Sequence, residues 1–147
     1  KNRLLAALPR KEYQRLLPGL ETVTLDFGDV IYEPGDTIRY IYFPDDSLVS
    51  LLTLANGHLA LEVGMVGCEG LVGAAYALGA GVTPVRALVQ GSGSAMRMEA
   101  PAFRREFLGC PPLQRLVHRY IHALMGQIAQ TAAWGRGLRV HAVVRNE

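Results

Sequence analysis

Short β-type runs separated by closely spaced turn residues constrain this chain most strongly. Gly28-Asp29 and Gly35-Asp36 lie seven residues apart, and turns at this spacing leave room only for strands of about four to six residues. Asn56-Gly57 then stands between two apolar runs, which is a strong hairpin signal because a type I′ turn needs positive φ at both central residues. The sequence therefore predicts a series of short antiparallel strands.

The same turn signals and apolar periods place the other elements. Two short amphipathic helices, broken at Pro9, are predicted within residues 2–17, and further helices at 69–78, 101–108 and 111–133. The strands are predicted at 21–27, 30–33, 38–43, 48–54, 58–65, 85–90 and 94–99. Helices at both ends of a strand-rich segment indicate one mainly β domain with flanking helices.

Composition limits the functional class. The chain has 147 residues, a formal net charge of +2 and 50% hydrophobic residues, which fits one folded domain and gives no general attraction to nucleic acid. Cys68 and Cys110 lie far apart and outside any CxxC motif, so cysteine alone predicts neither a zinc site nor an iron–sulfur cluster. With no signal segment or membrane span evident, we expect a cytoplasmic protein with free thiols.

The helix predicted at 111–133 carries an apolar stripe at coiled-coil spacing. One explanation is that the stripe packs on the parent domain; the other is that two copies share it. About twenty residues make about 30 Å of helix, longer than one face of a small barrel, which favours a homodimer. The predicted interface comprises Leu113, Val117, Tyr120, Leu124, Gln127, Ile128 and Thr131.

The order of elements resembles the sensory domain of the cyclic-AMP receptor protein / fumarate–nitrate regulator (Crp/Fnr) family. The resemblance covers roughly residues 4–133, and its matching segments are FGDVIYEPGD at 27–36, YIYFP at 40–44, GCEGLVG at 67–73 and QIAQTAA at 127–133. It implies a jelly-roll (double-stranded β-helix) domain over 1–110, an effector pocket within it, and a dimerisation helix over 111–133.

In that family a helix-turn-helix domain follows the long helix and reads DNA. Residues 134–147 carry two glycines and three scattered arginines, a pattern that predicts an irregular tail and not two helices joined by a short turn. We therefore expect this chain to reach DNA only through a helix-turn-helix domain that it does not itself contain.

The resemblance also implies a candidate effector site. In nucleotide-binding members a Gly-Glu pair precedes a short helix that meets the phosphate, and an Arg on a later strand neutralises its charge. The corresponding site would bind cyclic AMP or cyclic GMP through Gly67, Glu69, Gly70, Leu71, Arg86 and Ala87.

Two departures from the family pattern leave the ligand open. Cys68 separates Gly67 from Glu69, and Arg86 directly precedes Ala87, one position later than the pattern requires. Because successive strand residues face opposite ways, this shift turns Arg86 away from the pocket unless a bulge near Pro84 restores it.

Other readings of the same residues remain open. Glu69 would then cap the short helix and Arg86 would be solvated, or the domain would bind another small effector or none. In that last case the pocket would be filled by Leu71, Leu88 and Met65.

Catalysis and metal binding lack the necessary residues. His118 and His122 are spaced i, i+4, but no third histidine or carboxylate accompanies them nearby, and the strand region contains only His58. We therefore expect no catalytic residues, no metal site and no enzyme activity. The alternative function is a protein-interaction module with a vestigial pocket.

Overall fold

Five α-helices and seven strands make up the fold in the computed structural model, which describes residues 1–55 and 59–138 and the side chains of all of these except 55, 59, 60 and 134–138. The helices are α1 (Arg3–Ala6), α2 (Arg10–Leu16), α3 (Ala74–Ala77), α4 (Ala100–Leu108) and α5 (Pro111–Leu138), with a 3₁₀ turn at Leu17–Gly19. The two helices predicted on either side of Pro9 are thereby confirmed.

The strands form two antiparallel sheets. They are β1 (Glu21–Leu25), β2 (Val30–Tyr32), β3 (Tyr40–Pro44), β4 (Leu48–Ala55), β5 (Leu59–Val66), β6 (Arg86–Gly91) and β7 (Gly93–Glu99). One sheet has the order β1-β7-β3 and the other β2-β6-β4-β5, the two-sheet arrangement of a jelly roll. The predicted fold class is confirmed.

The two Gly-Asp turns have the same hydrogen-bonding pattern. Asp29 Oδ2 accepts the Asp26 N–H at 3.0 Å, and Asp36 Oδ2 accepts the Glu33 N–H at 2.8 Å. The glycine before each aspartate has φ of 90°, a conformation that other residues rarely adopt. The repeated dipeptide thus bends the chain twice, on either side of β2.

Both faces of the three-stranded sheet are covered. On one face Phe43 of β3 packs against Phe103 of α4, with ring centroids 6.4 Å apart. On the other face Tyr42 meets Tyr32, which comes from the opposite sheet, in an edge-to-face contact at 6.4 Å. The core therefore continues from the helical layer through one sheet to the other.

The hairpin predicted at Asn56-Gly57 lies partly outside the described residues. β4 and β5 nevertheless pair in antiparallel register up to Ala55 and Leu59, as a hairpin requires.

Within the described part of the chain, no helix combines the length and the apolarity needed to cross a membrane.

The short helix predicted at 69–78 is wrong in extent, because α3 comprises only Ala74–Ala77. Val72 instead exchanges two backbone hydrogen bonds with Tyr42, at 2.8 and 3.1 Å, and forms an isolated bridge to β3. This long-range pairing at Val72, together with the turn at 68–69, keeps the preceding residues out of the helix. Glu69 therefore cannot cap α3, contrary to one of the readings above.

The long helix continues beyond its predicted end at Ala133 and reaches Leu138. The irregular tail predicted from residue 134 is thus wrong for 134–138, and its remainder lies outside the described residues. Each glycine in a helix costs about 1 kcal/mol relative to alanine but, unlike proline, removes no hydrogen bond. Gly135 and Gly137 therefore weaken the helix without ending it.

Candidate functional site

The segment from Gly67 to Gly73 forms a tight loop between β5 and α3. The Gly70 N–H donates to the Gly67 carbonyl at 3.2 Å, and the Gly67 N–H donates to Glu69 Oε2 at 3.3 Å. Leu71 is buried, whereas Glu69 is exposed. Four of the six predicted effector-binding residues thus lie together in this loop, which we call the glycine loop.

Asn2 anchors the glycine loop from outside. Its Nδ2 donates to the carbonyls of Gly70 and Pro44, both at 2.9 Å, and its Oδ1 accepts the Leu5 N–H at 3.0 Å. The Asn2 N–H donates to Asp45 Oδ1 at 3.1 Å. Asn2 is 1% exposed, so one buried amide joins α1, the end of β3 and the loop.

Helix α5 lies directly on the glycine loop. A Cβ atom built on Gly70 would overlap the Cε1 and Cζ atoms of the Tyr120 ring, so the close approach depends on glycine. Tyr120 is only 8% exposed, and its Oη has no hydrogen-bond partner. Burial, with a smaller contribution from the Glu69 carboxylate, raises the pKa of Tyr120 well above its ordinary value.

A second contact joins α5 to β5. Gln127 Oε1 accepts the backbone N–H of Met65 at 2.6 Å. A Cβ on Gly64 would lie 3.3 Å from both Gln127 Oε1 and Leu124 Cδ1, which shows how closely the helix approaches the strand. Two turns of α5 beyond Tyr120, the helix is therefore still hydrogen-bonded to the sheet.

The side chain of Arg86 does not point toward the buried side of β6. Ala87 is 1% exposed and its neighbour Arg86 lies on the opposite face of β6, where its Nε donates to Glu33 Oε1 at 2.8 Å. The two irregularities in the pairing of β6 fall between Val30 and Tyr32 of β2 and between Leu48 and Val49 of β4, not near Pro84. The alternation of strand faces thus places Arg86 away from the buried side, as the sequence indicated.

The predicted dimer interface is largely occupied within the single chain. Leu113, Val117, Tyr120 and Leu124 are all buried against the chain's own core, while Ile128 and Thr131 are half-buried and Gln127 is exposed. The sequence period therefore identified the buried stripe of α5, and most of that stripe packs on the parent domain. Within the predicted interface, only Gln127 and parts of Ile128 and Thr131 keep surface that a second copy could contact.

A polar cluster that the sequence analysis did not identify lies on β7 and β3. The Arg97 guanidinium stacks over the Tyr40 ring at 3.9 Å, donates to Tyr42 Oη at 3.4 Å and pairs with Glu21 at 2.8 Å. The hydrogen bond to Tyr42, with Glu21, raises the pKa of Arg97. Tyr32 Oη hydrogen-bonds to the Tyr40 backbone. Burial raises the pKa of Tyr32.

The histidine pair of α5 is exposed, and the rings of His118 and Phe107 pack edge-to-face with centroids 5.7 Å apart. Among the described residues no three histidine, cysteine, aspartate or glutamate side chains converge as metal ligands would.

A separate open cavity of about 430 Å³ lies between the β2–β3 connection and the start of α4, beside Arg39, Tyr76 and Glu99. It includes no residue of the glycine loop.

No protein-family model matches the sequence, and no curated protein matches it. Solved structures do match. CLP of Xanthomonas campestris, described as a c-di-GMP-responsive global regulator, superposes with a TM-score of 0.74 at 13% identity, over 85% of this chain and 63% of that one.

Two further structures show the same architecture. The N-terminal domain of a transcriptional regulator from Streptomyces coelicolor matches with a TM-score of 0.64 at 17% identity, over 90% of this chain and 92% of that one. The regulatory domain of Toxoplasma gondii PKA, determined with cAMP, matches with a TM-score of 0.62 at 14% identity, over 71% of this chain and 42% of that one.

These likenesses establish the fold, which is the jelly roll of cyclic-nucleotide-binding domains followed by a C-terminal helix. The chain spans less than two thirds of the length of CLP. Function must be argued from the site itself, because one fold serves many functions.

Proposed function

We propose that this chain is the effector-sensing and dimerising module of a Crp/Fnr-type transcription regulator. The observation that carries the proposal is the contact between Tyr120 of α5 and Gly70 of the glycine loop. The loop is the segment that matches the family's effector site, and the helix is the element that matches its dimerisation helix. A ligand that moves the loop must therefore also move α5.

The mechanism needs two arrangements of α5 on the domain. An effector shifts the population between them only if it binds one arrangement more tightly than the other. In this proposal α5 passes the change to a helix-turn-helix domain outside this sequence, which contacts DNA. The chain has no catalytic role, and its free cysteines, Cys68 and Cys110, suit the reducing cytoplasm.

A cyclic nucleotide is one candidate effector. Support comes from the two similar structures whose descriptions name c-di-GMP and cAMP. The binding residues would be Gly67, Glu69, Gly70, Leu71 and Ala87. Arg86 would contribute only if it left Glu33, because the two side chains form an ion pair at 2.8 Å.

The exposed face of α5 supports pairing with a second copy. Five exposed residues repeat at the 4-3-4-3 spacing of a coiled-coil seam: His118, His122, Met125, Ala129 and Ala132. Met125 is 62% exposed, and the two alanines permit close approach of a neighbouring helix. This seam lies beside the buried stripe, so both can be used at once.

Light scattering at micromolar concentration tests the dimer. Wild type should show twice the monomer mass, and Met125→Glu should shift it toward the monomer because a charge enters the seam. Gln130→Glu, on an exposed position of the same helix facing elsewhere, is the matched control and should remain dimeric. A monomeric wild type would exclude this part of the proposal.

Calorimetric titration with cyclic AMP and cyclic GMP, combined with hydrogen exchange, tests the sensing. Binding should change the protection of both the glycine loop and the part of α5 that includes Tyr120. Binding without a change in α5 would contradict the coupling. No heat with either nucleotide, and no small molecule that co-purifies with the protein, would contradict effector sensing.

The second candidate is a protein-interaction module whose pocket is vestigial. The observation that favours it is the filling of the glycine loop by the chain itself, since Leu71 is buried in the core and the Tyr120 ring covers Gly70. This candidate predicts a dimer that binds no small molecule, so the two titrations above distinguish it from the first.

A further inference from the structure

Tyr120 Oη stands out among the polar side chains of the described residues. It is the one buried side-chain nitrogen or oxygen there that lacks a hydrogen-bond partner. Buried hydroxyls in folded proteins almost always have a partner, because an unsatisfied donor loses its hydrogen bonds to water without replacing them. Phenylalanine would fill the same space without that cost. The hydroxyl therefore calls for an explanation beyond packing.

The surroundings of the Tyr120 hydroxyl determine which kind of ligand atom can form a hydrogen bond with it. Burial and the Glu69 carboxylate both disfavour the phenolate and raise the pKa of Tyr120, so Oη keeps its proton and is available as a donor. The same two influences disfavour any other negative charge at this position. An atom that meets Oη must therefore accept a hydrogen bond without being anionic.

We infer that Tyr120 Oη is a ligand-binding group, and that the ligand meets it with an uncharged acceptor such as a hydroxyl, a carbonyl oxygen or a ring nitrogen. The inference rests on the proposed function, since it assumes that the glycine loop holds an effector. Helix α5 would contact an uncharged part of a nucleoside-like molecule, and not a phosphate.

The position of Arg86 agrees with this ligand class. Arg86, the cation that would pair with a buried phosphate, is bonded to Glu33 on the other face of β6, so a phosphate in the site would depend on backbone N–H groups alone. The site is consequently better suited to a nucleoside than to a cyclic nucleotide. The hydrogen bond to Tyr120 would join the ligand directly to α5, with no intermediate residue.

The test compares wild type with Tyr120→Phe, and uses Tyr76→Phe as a control because Tyr76 lines the separate cavity. Without ligand, Tyr120→Phe should raise Tm by a few degrees, since it removes an unsatisfied buried hydroxyl. Tyr76→Phe should leave Tm within about one degree of wild type. A rise in Tm also shows that the variant folds, so any loss of binding is not a loss of structure.

The four probes are adenosine, cyclic AMP, guanosine and cyclic GMP, measured by calorimetry. For the purine that binds, the nucleoside should bind within about threefold of the cyclic nucleotide or more tightly. Tyr120→Phe should weaken binding of both by about tenfold, the size of one hydrogen bond. Tyr76→Phe should not weaken it.

Equal affinities in wild type and Tyr120→Phe would overturn the inference and leave the proposed function standing. A cyclic nucleotide that binds more than tenfold tighter than its nucleoside would overturn the ligand class, because the phosphate would then dominate. If none of the four probes binds, the inference is also overturned. The dimer test and the search for a co-purified ligand still decide the proposed function independently in that case.

Discussion

The Tyr120 ring occupies the space that a side chain on Gly70 would need. The two residues lie fifty positions apart in the sequence, yet the fit between them fixes how closely α5 approaches the glycine loop. Their contact is therefore the structural link between the candidate effector site and the long helix.

Gly70→Ala tests this link. The added methyl group overlaps the ring, so either the loop or α5 must move, and we expect a loss of about 1–3 kcal/mol in the free energy of unfolding. Urea denaturation measures the loss. Gly81→Ala is the matched control, because a Cβ there meets no atom within 4 Å, and it should be neutral. Unchanged stability of Gly70→Ala would show that the helix is not seated as described.

Asn2→Ala should destabilise the protein even though Asn2 lies next to the first residue. The substitution leaves the carbonyls of Gly70 and Pro44 without their buried donor and removes the cap of α1. Together these losses should cost about 2–4 kcal/mol. Gln14→Ala, on an exposed position of α2, should stay within about 0.5 kcal/mol of wild type. Thermal or urea unfolding of both variants provides the comparison.

Arg86→Ala should have little effect on either stability or binding. Its ion pair with Glu33 is only partly buried, with side-chain exposures of 26% and 46%, and such pairs are worth about 0.2–1 kcal/mol. A double-mutant cycle with Glu33→Ala measures the pair. If Arg86→Ala instead abolished binding of a cyclic nucleotide, Arg86 would have to turn into the site on binding, and the assignment of its face would fail.

Acid should weaken the connection between β3 and β4. Asp46 Oδ1 accepts the Ser94 N–H at 2.7 Å, and this bond holds the pKa of Asp46 below its ordinary value. A lowered folded-state pKa means that the carboxylate stabilises the fold at neutral pH, and that this contribution disappears as the pH falls through the folded-state pKa. The loss belongs below about pH 4.

Unfolding measured between pH 7 and pH 3 tests the role of Asp46. Wild type should be more stable than Asp46→Asn at neutral pH, and the difference should shrink as the pH falls. A difference that stays constant over this range would mean that the Asp46 charge contributes nothing to stability.

Local patterns predicted most of the fold. The Gly-Asp turns specify their own geometry, since each aspartate bonds to the backbone three residues earlier, and the strands on either side follow from them. The face of Arg86 was predicted for the same reason, because strand alternation is a property of neighbouring residues. These features needed no knowledge of distant contacts.

Features made by distant residues were not predicted. The early start assigned to α3 ignored the bridge between Val72 and Tyr42, and no period in the sequence indicates that Asn2 reaches Gly70. The stripe on α5 was recognised, but periodicity shows only that a face is buried, not which surface covers it. Burial against the chain's own core had to come from the structure.

Helix α5 changes character along its length. Its side chains contact the core as far as Ile128, and the helix continues to Leu138, about 15 Å beyond Ile128 and about 27 Å beyond Tyr120 at the usual rise per residue. If α5 tilts as a rigid rod by about 5° at Tyr120, Gln127 moves by about 1 Å and Leu138 by about 2 Å. In the dimer that we propose, a tilt of this size where Tyr120 meets Gly70 would change the separation of the two helix ends.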